Sequence, residues 1–335
     1  MVNLPELDAT SEAAMADPVG RRHSRIPGMD AVRATSGFQR GMLVFGALIV
    51  LFFAVVAAFA NWIAPYGFND DRKDGKIFGR LIAPSGDHLM GTTQGGEDVF
   101  SRLVFGAQTA MEVILLAVAL SIVVGVPLGL LSGYFGGFLD RVLVLVTDAL
   151  FAFPSLLLAI IVSIAIAGGS GSTTGGIFAA AISITVVYVP QYFRVVRNAT
   201  VAAREEPYVE AARTLGASPF AIMTRYIFGN VVQTVPVIAT LNAGDAILTL
   251  AGLGFLGYGI EPSAGAEWGY QLSKAVSDTS NGIWWTGIYP GVAIALLVVG
   301  VTLVGESLND VLNPLLRTTK VSKVDLPSNT SEPSS

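Results

Sequence analysis

The chain has 335 residues, 52% of them hydrophobic and only 13% charged, with a mean hydropathy of +0.62. These values exclude an ordinary soluble domain and place the chain among integral membrane proteins. A net charge of −5 offers no basic surface for nucleic acid, and the absence of cysteine removes disulfides, thiolate metal sites and thiol nucleophiles together. The two histidines, His23 and His88, stand far apart in polar segments, which argues against a histidine metal site or triad.

Residues 1–40 are polar and irregular, carry Arg21, Arg22, Arg25, Arg33 and Arg40, and read as a disordered cytoplasmic tail. The apolar run 41–64 exceeds the roughly 20 helical residues that cross a hydrocarbon core. Ala58-Phe59-Ala60 imitates a signal-peptidase site. The run is nevertheless too long for a signal core and further spans follow, so it reads as a retained first transmembrane helix. Residues 65–106 mix Asp70, Asp71, Lys73, Asp74 and Lys76 and read as an extracytoplasmic segment.

Residues 107–317 then form a transmembrane domain, with spans at about 108–132, 142–167, 177–196, 229–256 and 284–307, which makes six in all. Gly125 and Gly129, and Gly133 and Gly137, are small-residue pairs at the spacing that lets helices approach closely. Pro154, in Phe153-Pro154-Ser155, predicts a kink in the third span. The glycine-rich stretch 168–176 lacks the Gly-Lys-Ser/Thr ending of a phosphate-binding loop and reads as an extracytoplasmic turn. No such loop occurs elsewhere, so any ATP-driven step requires an ATPase on another polypeptide. Residues 318–335 read as a second disordered cytoplasmic tail.

Between the fourth and fifth spans lies a charged island, residues 204–229. Pro207 suits a first helical position, and Tyr208, Val209, Ala212 and Leu215 recur at helical spacing, which predicts one shared face. Gly216 suits the left-handed position beyond a helix end, and Ser218-Pro219 restarts the chain as N-cap and first turn. Phe220, Met223 and Ile227 continue as the next apolar stripe. Two short helices joined at a glycine suit a platform for a soluble partner; an ordinary interfacial loop has the same spacing.

The Lys/Arg distribution orients the chain. One side collects the N-terminal arginines, Arg141, Arg194, Arg197, Arg204, Arg213, Arg225, Arg317, Lys320 and Lys323. The other keeps Arg72, Lys73, Lys76, Arg80, Arg102 and Lys274, mostly in one long loop. Both termini and the Glu210 segment are therefore expected in the cytoplasm. Four acids, Glu112, Asp148, Asp245 and Glu306, fall in or beside spans, where a central charge costs about 2.5–3.5 kcal/mol. Asp245 lies deepest, between Asn242 and Thr249 at spacings that place the three near one face. They are candidates for a water-filled pathway wall, or for a carboxylate buried against a neighbouring helix. Asp148, just before the kink, is a further candidate with a structural alternative.

Glu210-Ala211-Ala212, with Gly216 four residues after Ala212, resembles the signature loop of ABC importer permeases, and YVEAARTLGAS resembles the dipeptide/oligopeptide branch. HLMGTTQGGEDVFSR, TDALFAFPSLLLA, LGFLGYG, Trp268-Gly269 and LNDVLNPLLR are similar to stretches of the same branch, so the resemblance runs from about His88 to Arg317. Two positions depart from it: Phe228-Gly229 replaces the usual Leu-Pro, and Gly96-Glu97-Asp98 replaces Gly-Arg-Asp. The resemblance implies an all-α permease of the type I importer fold, most like a C-type subunit. Tyr208, Glu210, Ala211, Ala212, Leu215, Gly216, Ala217 and Ser218 would form the loop that docks an ATPase. Implied partners are a homologous permease, two ABC ATPase subunits or domains, and an extracytoplasmic binding protein in the cell membrane. The chain itself would need no cofactor, since ATP and Mg would be used by the partner subunits.

Related permeases carry nickel, haem or antimicrobial peptides, and the spans do not distinguish these from di- or oligopeptides. An ion-coupled secondary transporter using Asp245 as a proton site is a reading of another class. It predicts inverted repeats, which the sequence does not display, and leaves the Glu210 segment without a role. No HExxH motif or paired catalytic aspartates point to an intramembrane enzyme.

Overall fold

The computed structural model describes residues 37–73, 75–167 and 173–312. The two expected tails lie almost wholly outside the described residues, as do positions 168–172 of the glycine-rich turn and Arg317, Lys320 and Lys323.

Helix α1 (Gly37–Ala58) and the short α2 (Ala60–Ile63) form the first apolar element. A two-residue hairpin, β1 (Arg72–Lys73) with β2 (Lys76–Ile77), interrupts the otherwise helical chain. Helix α3 (Val99–Phe135) has 37 residues, about 55 Å at 1.5 Å per residue. It begins inside the polar segment because Asp98 is its N-cap, its Oδ2 accepting from the Ser101 N–H and Ser101 hydroxyl at 2.8 Å each.

The third span is not one kinked helix. Helices α4 (Gly137–Phe151) and α5 (Ser155–Ala167) meet at 99°. Pro154 has no N–H to continue the ladder and disfavours helical backbone at Phe153, so the helix stops and restarts. Helix α6 (Thr173–Arg204) contains Pro190 and nonetheless runs through.

Helix α7 (Pro207–Thr214) is followed by α8, a helical stack over Pro219–Phe255. Within α8 the chain passes through a π-turn at Ile222–Ile227 and a 3₁₀ turn at Val232–Thr234. The expected second short helix is therefore the first turn of the fifth span, which starts ten residues earlier than hydropathy indicated. Helix α9 (Trp268–Ser280) and helix α10 (Trp285–Leu312) complete the described chain. Five helices are long and apolar enough to cross a membrane, or six when the bent α4–α5 pair counts as one.

The centre of the bundle is the seam between α3 and α6. A Cβ on Gly125 would lie 2.6 Å from Tyr192 Cβ, one on Gly129 2.8 Å from the Phe193 carbonyl, and one on Gly133 2.7 Å from the Arg197 carbonyl. The glycines thus let the two backbones touch along three turns. Gly137 is not part of this seam: α3 has ended, Gly137 has φ +63° and nothing lies within 4 Å of its Cβ position. Tyr192, Phe193, Ile184, Ile247, Leu253 and Leu297 fill the interior, while Phe45, Leu48, Leu51 and Phe52 of α1 stay exposed. An apolar exterior is what a lipid-facing helix requires.

Helix α3 also defines two ends. Near its start Arg102 donates to the Phe68 carbonyl at 3.0 Å and pairs with Glu97 at 3.4 Å. Trp268 Nε1 donates to the Leu103 carbonyl at 3.1 Å, and Trp285 Nε1 to the Thr92 carbonyl at 3.3 Å. Residues 65–98 are thereby folded onto α3, α9 and α10 as a cap. At the other end, Arg204 donates to the Gly133 carbonyl at 3.1 Å, which brings the Glu210 segment to the end of α3.

Candidate functional site

The Glu210 segment is a rigid bracket. Helix α7 closes in a Schellman motif: Ala217 N–H reaches the Ala212 carbonyl and Gly216 N–H the Arg213 carbonyl, each at 3.0 Å. Gly216 takes φ +79°, a left-handed value that a side chain rarely tolerates. Ser218 then caps the start of α8, its hydroxyl accepting from Ala221 N–H at 3.3 Å, with Pro219 in the first turn. Asn230 of α8 donates to the Tyr208 hydroxyl at 2.8 Å, and the Arg213 guanidinium sits 5.6 Å from the Tyr134 ring centre. Helix α7 is therefore tied both to α8 and to the end of α3.

The face predicted from spacing divides in two. Val209 and Ala212 are buried, at 0% and 4% exposure, against a core that includes Ile222 and Ile227. Leu215 is 87% exposed and Tyr208 is also turned outward. Glu210, Ala211, Gly216 and Ser218 are exposed, with Ala217 half-buried. The same holds for the second stripe: Met223 and Ile227 are buried while Phe220 is 73% exposed. Four residues at helical spacing span more than one face when the helix ends among them, and Leu215 already lies beyond the last helical residue. The result is an apolar, solvent-facing pair, Leu215 and Phe220, on either side of the Gly216 turn.

A second feature lies at the α4–α5 bend. A cavity of about 500 Å³ is lined by Phe151, Phe153, Ser155, Tyr188, Gln191, Asp245 and Thr249, among others. Asp245 is exposed to it, and Thr249 donates to the Asp245 carbonyl at 2.9 Å and lies 3.2 Å from the Tyr188 hydroxyl. Asn242 does not share this wall. It is 3% exposed and points into the core, beside the buried hydroxyl of Tyr192. One turn of helix separates Asn242 from Asp245, but α8 is buried on the one flank and open on the other.

Asp148 lines a neighbouring cavity of about 610 Å³ and pairs with Arg194 at 3.0 Å; Arg194 in turn lies 4.4 Å from the Phe151 ring centre. A tighter pair escaped the sequence reading. Arg197 holds Asp140 through two bonds of 2.5 and 2.7 Å, and Ser132 donates to the same carboxylate at 2.5 Å. Asp140 stands in the first turn of α4, outside the hydropathy window, and the only sequence signal was its place beside the Gly136-Gly137 turn. Glu112, by contrast, only accepts from Gln108 one turn before it, at 3.1 Å, and Glu306 is exposed. Among the described residues no group of three or more His, Cys, Asp or Glu is arranged to hold a metal ion.

At the capped end, Glu267 is the N-cap of α9, accepting from the N–H groups of Gly269 and Tyr270 at 2.7 Å each. Burial raises its carboxyl to about 7, against the opposing pull of those two N–H bonds. His88 and Asp98, 3.0 Å apart and both buried, join the cap to the start of α3 beneath Phe78 and Tyr66.

Membrane-crossing helices with a cavity at a broken span and a rigid bracket between two of the spans suit a permease subunit. Residues 125–318 match the family model described as the binding-protein-dependent transport system inner membrane component. The chain is 34% identical over 276 residues to the dipeptide transport system permease protein DppC of Alkalihalophilus pseudofirmus, covering 82% of this chain and 86% of that protein. It is 34% identical over 280 residues to the glutathione transport system permease protein GsiD of Pectobacterium atrosepticum, covering 83% and 89%. The corresponding protein of Escherichia coli O6:K15:H31 is 35% identical over the same length, covering 83% and 88%. The chain belongs to this family of inner-membrane transport components, in the C-type permease branch of the ABC peptide importers. It is a multi-pass transport subunit.

Proposed function

We propose that this chain forms half of the pathway of an ATP-driven importer of di- and oligopeptides in the cell membrane, paired with a homologous permease. Two ABC ATPase subunits or domains dock on the bracket formed by Tyr208, Glu210, Ala211, Ala212, Leu215, Gly216, Ala217 and Ser218. The chain binds no cofactor of its own; ATP and Mg act in those partners. Both termini and the bracket face the cytoplasm, and a binding protein delivers peptide at the capped end. The printed functions of the relatives, dipeptide and glutathione transport, support a peptide cargo.

The observation that carries the docking role is the division of the bracket, with Val209 and Ala212 anchored in the core and Leu215 and Phe220 turned outward. A partner pressing on the outer face moves a helix that cannot shift without α8. Helix α8 carries Asp245, so motion at the bracket changes the cavity at the α4–α5 bend. There Asp245, with Tyr188 and Gln191, offers acceptors to the ammonium and amide groups of a passing peptide. Asp148, locked to Arg194, positions the broken span rather than meeting cargo, and Asn242 supports α8 from the core side.

The test is purification of the tagged chain from native membranes, followed by reconstitution in liposomes. Co-purification of a second permease and of ATPases, with labelled dialanine uptake that requires ATP, is expected. Recovery of the chain alone, transporting without ATP, overturns the proposal.

A further inference from the structure

The cap holds a further polar cavity, of about 350 Å³, between residues 80–97, the start of α3, and α9 with the first turn of α10. It lies at the opposite end of α3 from the bracket and shares no lining residue with the Asp245 cavity. Its size is at the lower end of the range for small-molecule sites.

What distinguishes it is polarity left without a partner. Asp278 is 3% exposed, yet no hydrogen bond or ion pair reaches its carboxylate among the described residues. Gln271 Nε2 and Thr286 Oγ1, both on the same lining, are buried and unpartnered as well. Buried polar groups are nearly always satisfied, and a carboxylate out of water without a cation or donor is costly. A carboxylate with no donor or cation among the described residues, beside two buried and unpartnered groups on the same lining, indicates a missing occupant.

The charges select its chemistry. Arg102 is neutralised within the site by Glu97. Arg80 and Lys274, also on the lining, make no ion pair among the described residues. Lys274 stands one helical turn before Asp278, but its ammonium is directed over the Tyr270 ring, 5.2 Å from the centre. A purely anionic ligand would leave Asp278 uncompensated. A metal ion or polyamine would face Arg80 and Lys274. An apolar ligand would satisfy none of the three orphans. A zwitterion meets both signs of charge at once: its ammonium supplies three donors to Asp278, and its carboxylate accepts from Lys274, Arg80 and Gln271.

We propose that this cavity is a ligand site for a small zwitterion of the amino-acid or dipeptide class, separate from the pathway cavity and placed where cargo arrives. The placement rests on the orientation proposed above; the binding chemistry does not.

The test uses the full chain in lipid nanodiscs, without ATPase or binding protein, so that its outcome is independent of the transport reading. Labelled dialanine in equilibrium dialysis is expected to bind saturably at one site per chain. N-acetyl-dialanine, which lacks the ammonium, and dialanine amide, which lacks the carboxylate, should each bind at least about tenfold more weakly. Asp278→Asn is nearly isosteric and Lys274→Ala is at the exposed rim, and each should cost a similar factor without lowering the thermal unfolding midpoint. Absence of saturable binding to the unmodified chain overturns the proposal. So does binding indifferent to both substitutions, or binding lost in Asp245→Asn but kept in Asp278→Asn.

Discussion

Removing the Leu215 side chain tests the bracket where its two faces are most different. Leu215 is 87% exposed and helps no core, so Leu215→Ala should leave folding within about 0.5 kcal/mol of the parent. If an ATPase buries the side chain on docking, the variant forgoes the burial of three carbons, a loss of about 2 kcal/mol at roughly 0.8 kcal/mol per methylene. That is about a 30-fold weaker association. Phe220→Ala, at 73% exposure, should act in the same direction. Val209→Ala supplies the opposite pattern, because Val209 is fully buried and its truncation costs core packing. The assay titrates purified ATPase against the nanodisc-embedded chain and records the thermal midpoint of each variant in parallel. Leu215→Ala and Phe220→Ala should lose association and keep stability, while Val209→Ala should lower the midpoint. Unchanged association in both exposed-face variants would refute the assignment of that face to docking.

Gly216→Pro removes an N–H that closes the Schellman turn and demands a negative φ where the chain has +79°, so uptake should vanish while membrane insertion persists. Uptake at the parent rate in that variant would remove the bracket from the mechanism. Gly129→Val places methyl groups where even a Cβ lies 2.8 Å from the Phe193 carbonyl. A destabilisation of about 1–3 kcal/mol or more should appear as a lower thermal midpoint, with the same change at Gly41, where nothing lies within 4 Å, as the neutral comparison.

Glu267 makes stability depend on pH. Its carboxyl is raised from the usual 4.5 to about 7 in the folded chain, so between those values the native state holds a proton that the unfolded state has released. Stability contributed by this group is therefore full below about 4.5 and is lost as pH rises through about 7, a change on the order of 3 kcal/mol. Glu267→Gln should flatten that segment of a midpoint-against-pH curve; an unaltered slope would place the titration elsewhere.

Much of the architecture was legible because membrane spans are written in composition. A hydrocarbon core demands long apolar helices with internally satisfied backbones, so α1, α3, α6, α8 and α10 could be found from hydropathy alone. The bracket was legible for a different reason: Pro207, Gly216 and Ser218-Pro219 act through local backbone chemistry, and each occupies the position its residue type favours. The glycine seam was half legible, since spacing identified Gly125, Gly129 and Gly133 but could not tell that α3 ends before Gly137.

Other features depended on which segments meet. Five prolines sit in apolar runs that read alike: Pro154 coincides with the sharp break and Pro236 with the helical restart after the 3₁₀ turn, while Pro127, Pro190 and Pro290 are carried inside continuous helices. Helical spacing placed Leu215 with Val209, and placed Asn242 with Asp245, because a period describes one cylinder and not what packs against it. Asp140 and Arg197 are 57 residues apart, and Asp278 gained its meaning only from residues 80–102 folding over α9. Composition and local backbone preference thus determined by themselves that this chain crosses the membrane and presents a turn-bounded platform at one end. Which faces of those helices are buried, where the third span breaks, and which charges find or lack a partner were decided by tertiary packing, because burial and ion pairing are properties of contacts between distant segments.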